Sequence, residues 1–164
     1  MCRSARDDFD SAEYAQLAQV FPRVRDTFGD RVHFVFKHLP MLGPESLAIA
    51  EAAACANAQG KFWPYHDAIV KRTGPLDTAQ LKQLGRDVGV TNSTSFESCI
   101  DRDESEPAMR QAVLEADRYA ITSSPSILVN GRLAPAPPPF LPPAEFFKRL
   151  IEEELLQQSK AANK

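Results

Sequence analysis

The sequence predicts an α/β fold in which short strand segments flank a long helical block, and three observations carry that expectation. Ile127, Leu128 and Val129 form an apolar, partly β-branched run that meets Asn130-Gly131 at once, a pair that tolerates the positive φ of a tight hairpin. Val32 to Phe36 alternates poorly but is rich in β-formers, as a buried strand is. Between these segments, Pro44 to Ala120 reads as helix throughout.

Before the first strand, Asp10 to Phe28 reads as a helix, with Tyr14, Leu17, Phe21, Val24 and Phe28 three or four residues apart. Asp10 and Glu13 have the spacing of a capping box, and Pro22 should kink the helix. Gly29-Asp30 ends it. Met1 to Asp8 offers charge where a strand would need apolar residues, so any strand there is weak or missing.

In the helical block, Pro44 suits a first helical position, and Leu47, Ala48, Glu51, Ala52, Cys55 and Ala56 make a face of mostly small residues. Phe62, Trp63, His66, Ile69 and Val70 form the next face, with Trp63 and Tyr65 read as packing residues. Asp77 caps a helix through Leu81, Leu84 and Val88, and Ser95 to Ile100 makes a short one holding Phe96 and Cys99. Met109, Val113, Ala116 and Ala120 form the last buried stripe of the block.

Pro125 cannot donate to a ladder, so it must open its strand or lie at an edge, where a cis peptide would free the neighbouring backbone. Six of the nine residues from Pro135 to Pro143 are proline, which predicts a stiff loop. Phe146, Phe147, Leu150, Ile151 and Leu155 then form a terminal helix whose Glu152-Glu153-Glu154 reads as a solvated face. Residues 1–156 are expected to form one domain and residues 157–164 a disordered tail.

Composition excludes several function classes. The 164 residues suffice for one proper core, and 43% hydrophobic with 25% charged residues is ordinary for a globular chain. A net charge of −3 argues against a broad nucleic-acid or anionic-membrane surface. No apolar run approaches the ~18 residues of a membrane span, and Met1 to Arg6 lacks the apolar core of a leader peptide. The default expectation is therefore the cytoplasm. His33, His38 and His66 are scattered without metal-ligand spacing, so neither metal nor cofactor is expected. His38 is the one to watch, because it leaves a strand that should pass near a site.

Several separate stretches, in order, carry a family resemblance. They are Phe34-Val35-Phe36-Lys37-His38-Leu39-Pro40; Ala54-Cys55-Ala56 with Gln59-Gly60-Lys61-Phe62-Trp63 and Tyr65-His66-Asp67; Phe96-Glu97-Ser98-Cys99-Ile100; and Ser124-Pro125-Ser126 through Asn130-Gly131. From about Asp8 to Leu155 the chain resembles the DsbA-like thioredoxin-fold disulfide oxidoreductases. The resemblance implies a thioredoxin-like fold with a helical insertion, about 43–120, between the second and third strands. It also makes Ser124 and the cis-proline candidate Pro125 the expected substrate-binding residues.

The family's chemistry lies in a C-P-x-C motif after a D-F-x. Here Asp8-Phe9-Asp10 leads into Ser11-Ala12-Glu13-Tyr14, so Ser11 stands in place of the nucleophilic cysteine and Tyr14 in place of the resolving one. Exchange needs a thiolate at a helix N-terminus and a second thiol to release the mixed disulfide. Serine supplies neither. The expectation is a redox-inactive protein that binds extended peptides or thiol compounds near Pro125, with no nucleic-acid partner. The alternatives are Ser11 holding a glutathione thiolate, as in kappa-type glutathione transferases, or redox work through Cys2.

Positions matching Cys55 and Cys99 are often cysteines in the family. The resemblance leaves two readings open, a disulfide or two buried thiols, and the lack of a visible export signal favours thiols. Relatives are often extracytoplasmic, which would apply here if an upstream signal has been lost.

Overall fold

A computed structural model describes residues 12–40, 43–72 and 75–162. The chain forms two compact units, one holding Phe36–Ser124 and the other Gln16–Val35 with the residues from Pro125 onward. Met1 to Asp8, and Asp10 of the expected capping box, lie outside the described residues.

The first unit is the helical block, built from α2 (Pro44–Asn57), α3 (Phe62–Val70), α4 (Thr78–Asp87), α5 (Ser93–Asp101) and α6 (Glu106–Arg118). The small residues of α2 let neighbours approach it from several sides, and it packs against each of the other four helices. Ile49, Ala50, Ala52, Ala53, Cys55 and Ala56 are all buried. The small face read from the sequence is thus only part of the buried surface, since Ala50 and Ala53 lie inside as well.

Capping fixes two helix starts. Asp77 accepts from the Gln80 backbone N–H at 2.7 Å, and the Gln80 side chain accepts from the Asp77 N–H at 2.9 Å. Asn92 accepts from the Ser95 N–H at 3.0 Å, starting α5 two residues before the expected Ser95. Helix α6 ends at Arg118, and Ala120, expected in its buried stripe, is instead exposed with φ 53°.

Cys55 of α2 and Cys99 of α5 are joined as a disulfide with their Cα atoms 6.0 Å apart. The preference for two free thiols is therefore corrected. It rested on the chain's first residues, whereas pairing depends on two helices being brought within bridging reach.

The second unit contains α1 (Ala12–Phe28) from Gln16 onward, a 3-10 turn at Gly29–Arg31, β1 (Leu128–Val129), β2 (Arg132–Leu133) and α7 (Pro143–Ala162). Val20, Val24 and Phe28, each one turn apart on α1, are buried with Phe147 and Ile151 of α7. Helix α1 runs through Pro22, where the missing N–H removes one bond from its ladder. The hairpin forms as its sequence requires, with Asn130 at φ 50°, Gly131 at φ 77° and the pairing Leu128↔Leu133, Val129↔Arg132.

Two expectations change here. Val32 and Phe34 are half-buried while His33 and Val35 are exposed, the period-two pattern of a strand, yet among the described residues this segment joins no ladder. A strand needs a partner as well as propensity, and the charged Met1–Asp8 stretch that would precede it lies outside the described residues. The tail expected to be disordered from residue 157 is helical to Ala162. Leu155 and Leu156 lead into Gln, Lys and Ala, which propagate a helix once its earlier turns are packed.

Glu154 also departs from its solvated reading. It pairs with Arg132 and accepts from the Asn130 side chain at 3.1 Å, so α7 holds the hairpin by its turn and second strand.

Candidate functional site

The expected motif residues fall at the edge of what the structure describes. Ser11 and Cys2 lie outside the described residues. Tyr14 is in the first turn of α1, its side chain likewise outside them. Ser124 ends the first unit, Pro125 opens the second, and each is half-buried.

Within the first unit, the sequence places two histidines among aromatic rings. Phe36 and His38 alternate along extended chain, so both side chains point the same way. On α3, Phe62 and His66 are four residues apart and share a face. The result is a cluster in which the Phe36 ring lies 5.1 Å from His38, 5.0 Å from Phe62 and 5.3 Å from His66. His38 is 5.8 Å from Phe62, and Trp63 is 5.4 Å from His66.

The surroundings keep these imidazoles neutral. Burial, and then the neighbouring His66, hold the pKa of His38 down to about 4. Burial also lowers His66, opposed by Asp67, whose Oδ1 is 2.9 Å from His66 Nδ1. Nδ1 of His38 is buried without a hydrogen-bond partner among the described residues. At neutral pH the ring is therefore uncharged, with a buried nitrogen in an aromatic wall, and is poorly suited to acting as a base. Sequence reading singled out His38 but missed the cluster. The available signal was the pairing of two spacings, Phe36-x-His38 and Phe62-x-x-x-His66.

This site predicts an acid sensitivity. A histidine whose folded pKa lies below its unfolded value gives stability that is complete above about 6.5 and is lost as pH falls toward 4. The shift corresponds to roughly 3 kcal/mol. Denaturant unfolding at pH 7.5 and pH 4.0 should show this loss in wild type. His38→Phe should shrink the pH difference by about that amount, and an unchanged difference would remove His38 as its source.

A second buried polar group sits on α2. Glu51 is 6% exposed and its Oε1 has no partner among the described residues. Burial, followed by the Asp103 and Glu106 carboxylates, raises its pKa. A charge within an otherwise small apolar face was visible in the sequence. Tyr65, read as core, is fully buried and donates to the Leu81 carbonyl at 2.9 Å, while Trp63 is only half-buried.

Residues 17–152 match the family described as Thioredoxin, a match that begins after Ser11 and Tyr14. Over 129 residues the chain is 29% identical to Na(+)/H(+) antiporter NhaA 1 of Salinispora arenicola, covering 76% of this chain and 20% of that protein. It is 31% identical over 129 residues to Na(+)/H(+) antiporter NhaA 3 of Salinispora tropica, covering 73% and 20% respectively. The chain thus spans about a fifth of the length of these curated relatives. Its fold is similar to the crystal structure of a thioredoxin-like oxidoreductase from Silicibacter pomeroyi, with a TM-score of 0.68 at 20% identity, over 89% of this chain and 80% of that one.

Proposed function

The chain belongs to the thioredoxin family, and from that premise we propose that it is a redox-silent member, retained as a binding module for extended peptides beside Ser124 and Pro125. The observation that carries the proposal is the run Ser11-Ala12-Glu13-Tyr14 after Asp8-Phe9-Asp10, which by resemblance sets Ser11 and Tyr14 where the family's exchange chemistry needs two sulfurs. The pairing of Cys55 with Cys99 supports it, because neither sulfur is then a free nucleophile. A peptide would add its backbone beside Ser124 in the manner of strand addition, with Pro125 in cis.

The antiporter relatives suggest that this module is a portion of a larger membrane transporter. Transport itself is not assigned to it, and no helix among the described residues is long and apolar enough to cross a membrane. The disulfide favours an oxidising compartment for the module.

Reduction and oxidation of a model disulfide peptide test the proposal. Wild type should not exceed background. Ser11→Cys with Tyr14→Cys should raise exchange at least about tenfold, since a thiol at a helix N-terminus has a lowered pKa. Glu13→Ala should raise it further by removing a carboxylate that disfavours the thiolate. Wild-type turnover that survives Cys2→Ser would overturn the silent-site reading. Glutathione-dependent turnover abolished by Ser11→Ala would replace it with thiol binding at Ser11.

A further inference from the structure

The proline-rich segment between β2 and α7 is a built feature. It is anchored at both ends, with Ala134 and Ala144 packed against the core of the second unit. The Ala134 N–H donates to the Ile127 carbonyl at 2.7 Å, and the Phe146 N–H to the Pro142 carbonyl at 3.0 Å. Between these anchors Pro135, Pro137, Pro138, Pro139, Pro142 and Pro143 restrict the backbone through their locked φ. Leu141 N–H donates to the Pro138 carbonyl at 3.0 Å, closing a turn whose tip is Phe140. That phenylalanine is 87% exposed. A large apolar side chain is thus held out from the body on a backbone with little freedom to fold it back.

We propose that this segment is a docking ridge for a partner protein with a groove lined by aromatic side chains, Phe140 being its anchor. The chemistry of the ridge selects that partner. Six prolines carry carbonyls but no N–H, so the segment can accept hydrogen bonds far more than it can donate them. A matching surface supplies donors such as an indole N–H or a phenolic O–H, set among flat rings on which proline rings lie. Pro135 and Pro138 have the P-x-x-P spacing used by such grooves, and Pro135 and Ala136 are exposed. Because the ridge is ordered before binding, little conformational entropy remains to be lost. A membrane surface fits less well. The segment 134–143 carries no charge, and the nearby Arg132 is already paired with Glu154.

The test titrates the full chain into two isotope-labelled probe domains, an SH3 domain and an EVH1 domain, followed through the indole N–H signals of their grooves. Saturable shifts in at least one domain are expected. Phe140→Ala should weaken binding about tenfold or more, as an anchor residue does, and Pro137→Ala with Pro139→Ala should weaken it by loosening the ridge. Circular dichroism should show both variants folded, since Phe140 and Pro139 are exposed and Pro137 is half-buried in a loop. No shift in either domain overturns the proposal, as does binding that both variants retain. Sedimentation with neutral phosphatidylcholine vesicles, lost in Phe140→Ala, would overturn it in favour of a lipid-inserting tip.

Discussion

Phe96→Ala should lower the unfolding free energy by about 4 kcal/mol. The ring is 1% exposed and meets the Tyr65 ring edge-on at 5.8 Å, so truncation leaves a cavity among α3, α4 and α5. It also lies against Gly85 of α4, where a Cβ would stand only 2.1 Å from Phe96 Cε1. Glycine inside a helix costs about 1 kcal/mol relative to alanine, so its presence here is accounted for by the ring it admits. Gly85→Ala should therefore destabilise by roughly 1–3 kcal/mol through overpacking. In the Phe96→Ala background the same change should be neutral or stabilising, because the clash is gone while the helix preference remains. Chemical denaturation of the four proteins checks this. Additive effects would show that ring and glycine are not coupled.

Removing the bond between Cys55 and Cys99 should cost a similar amount. The cysteines are 44 residues apart, and closing a loop of that length restrains the unfolded chain by about 4 kcal/mol. Cys55 is 2% exposed and Ser105 Oγ lies 3.6 Å from its sulfur and 3.8 Å from that of Cys99, so alanine at both positions adds only a modest packing loss. The double variant Cys55→Ala with Cys99→Ala should unfold at markedly lower denaturant concentration. Reductant should shift wild type toward the variant and leave the variant unmoved. Thiol titration of unreduced, denatured wild type should find one free thiol among the three cysteines, that of Cys2. Three free thiols would show that the pair forms no bond in solution.

Much of the architecture was legible along the chain because its causes are local. The Asp77–Gln80 capping box, the Asn130-Gly131 turn and the i, i+4 pair of Val24 and Phe28 each involve residues within four positions of one another. The identities of Ser11 and Tyr14, on which the proposed silence of the site rests, are likewise read from the sequence and need no coordinates.

Other features depended on which distant segments meet. Spacing cannot reveal that Phe96 fills the gap left by Gly85, or that Glu154, in an acidic run, turns back to hold Arg132 and Asn130 of the hairpin. The same holds for His38, whose titration is governed by burial and by a ring 28 positions away at His66, a separation read directly from their numbers. Val32–Phe36 makes the point from the other side: its residues favour extended chain and show strand-like burial, yet a ladder is a bond between two segments. Local propensity decided where the chain bends and coils. Solvent exclusion and pairing between remote segments, set only in the folded structure, decided which side chains are buried, charged or bonded.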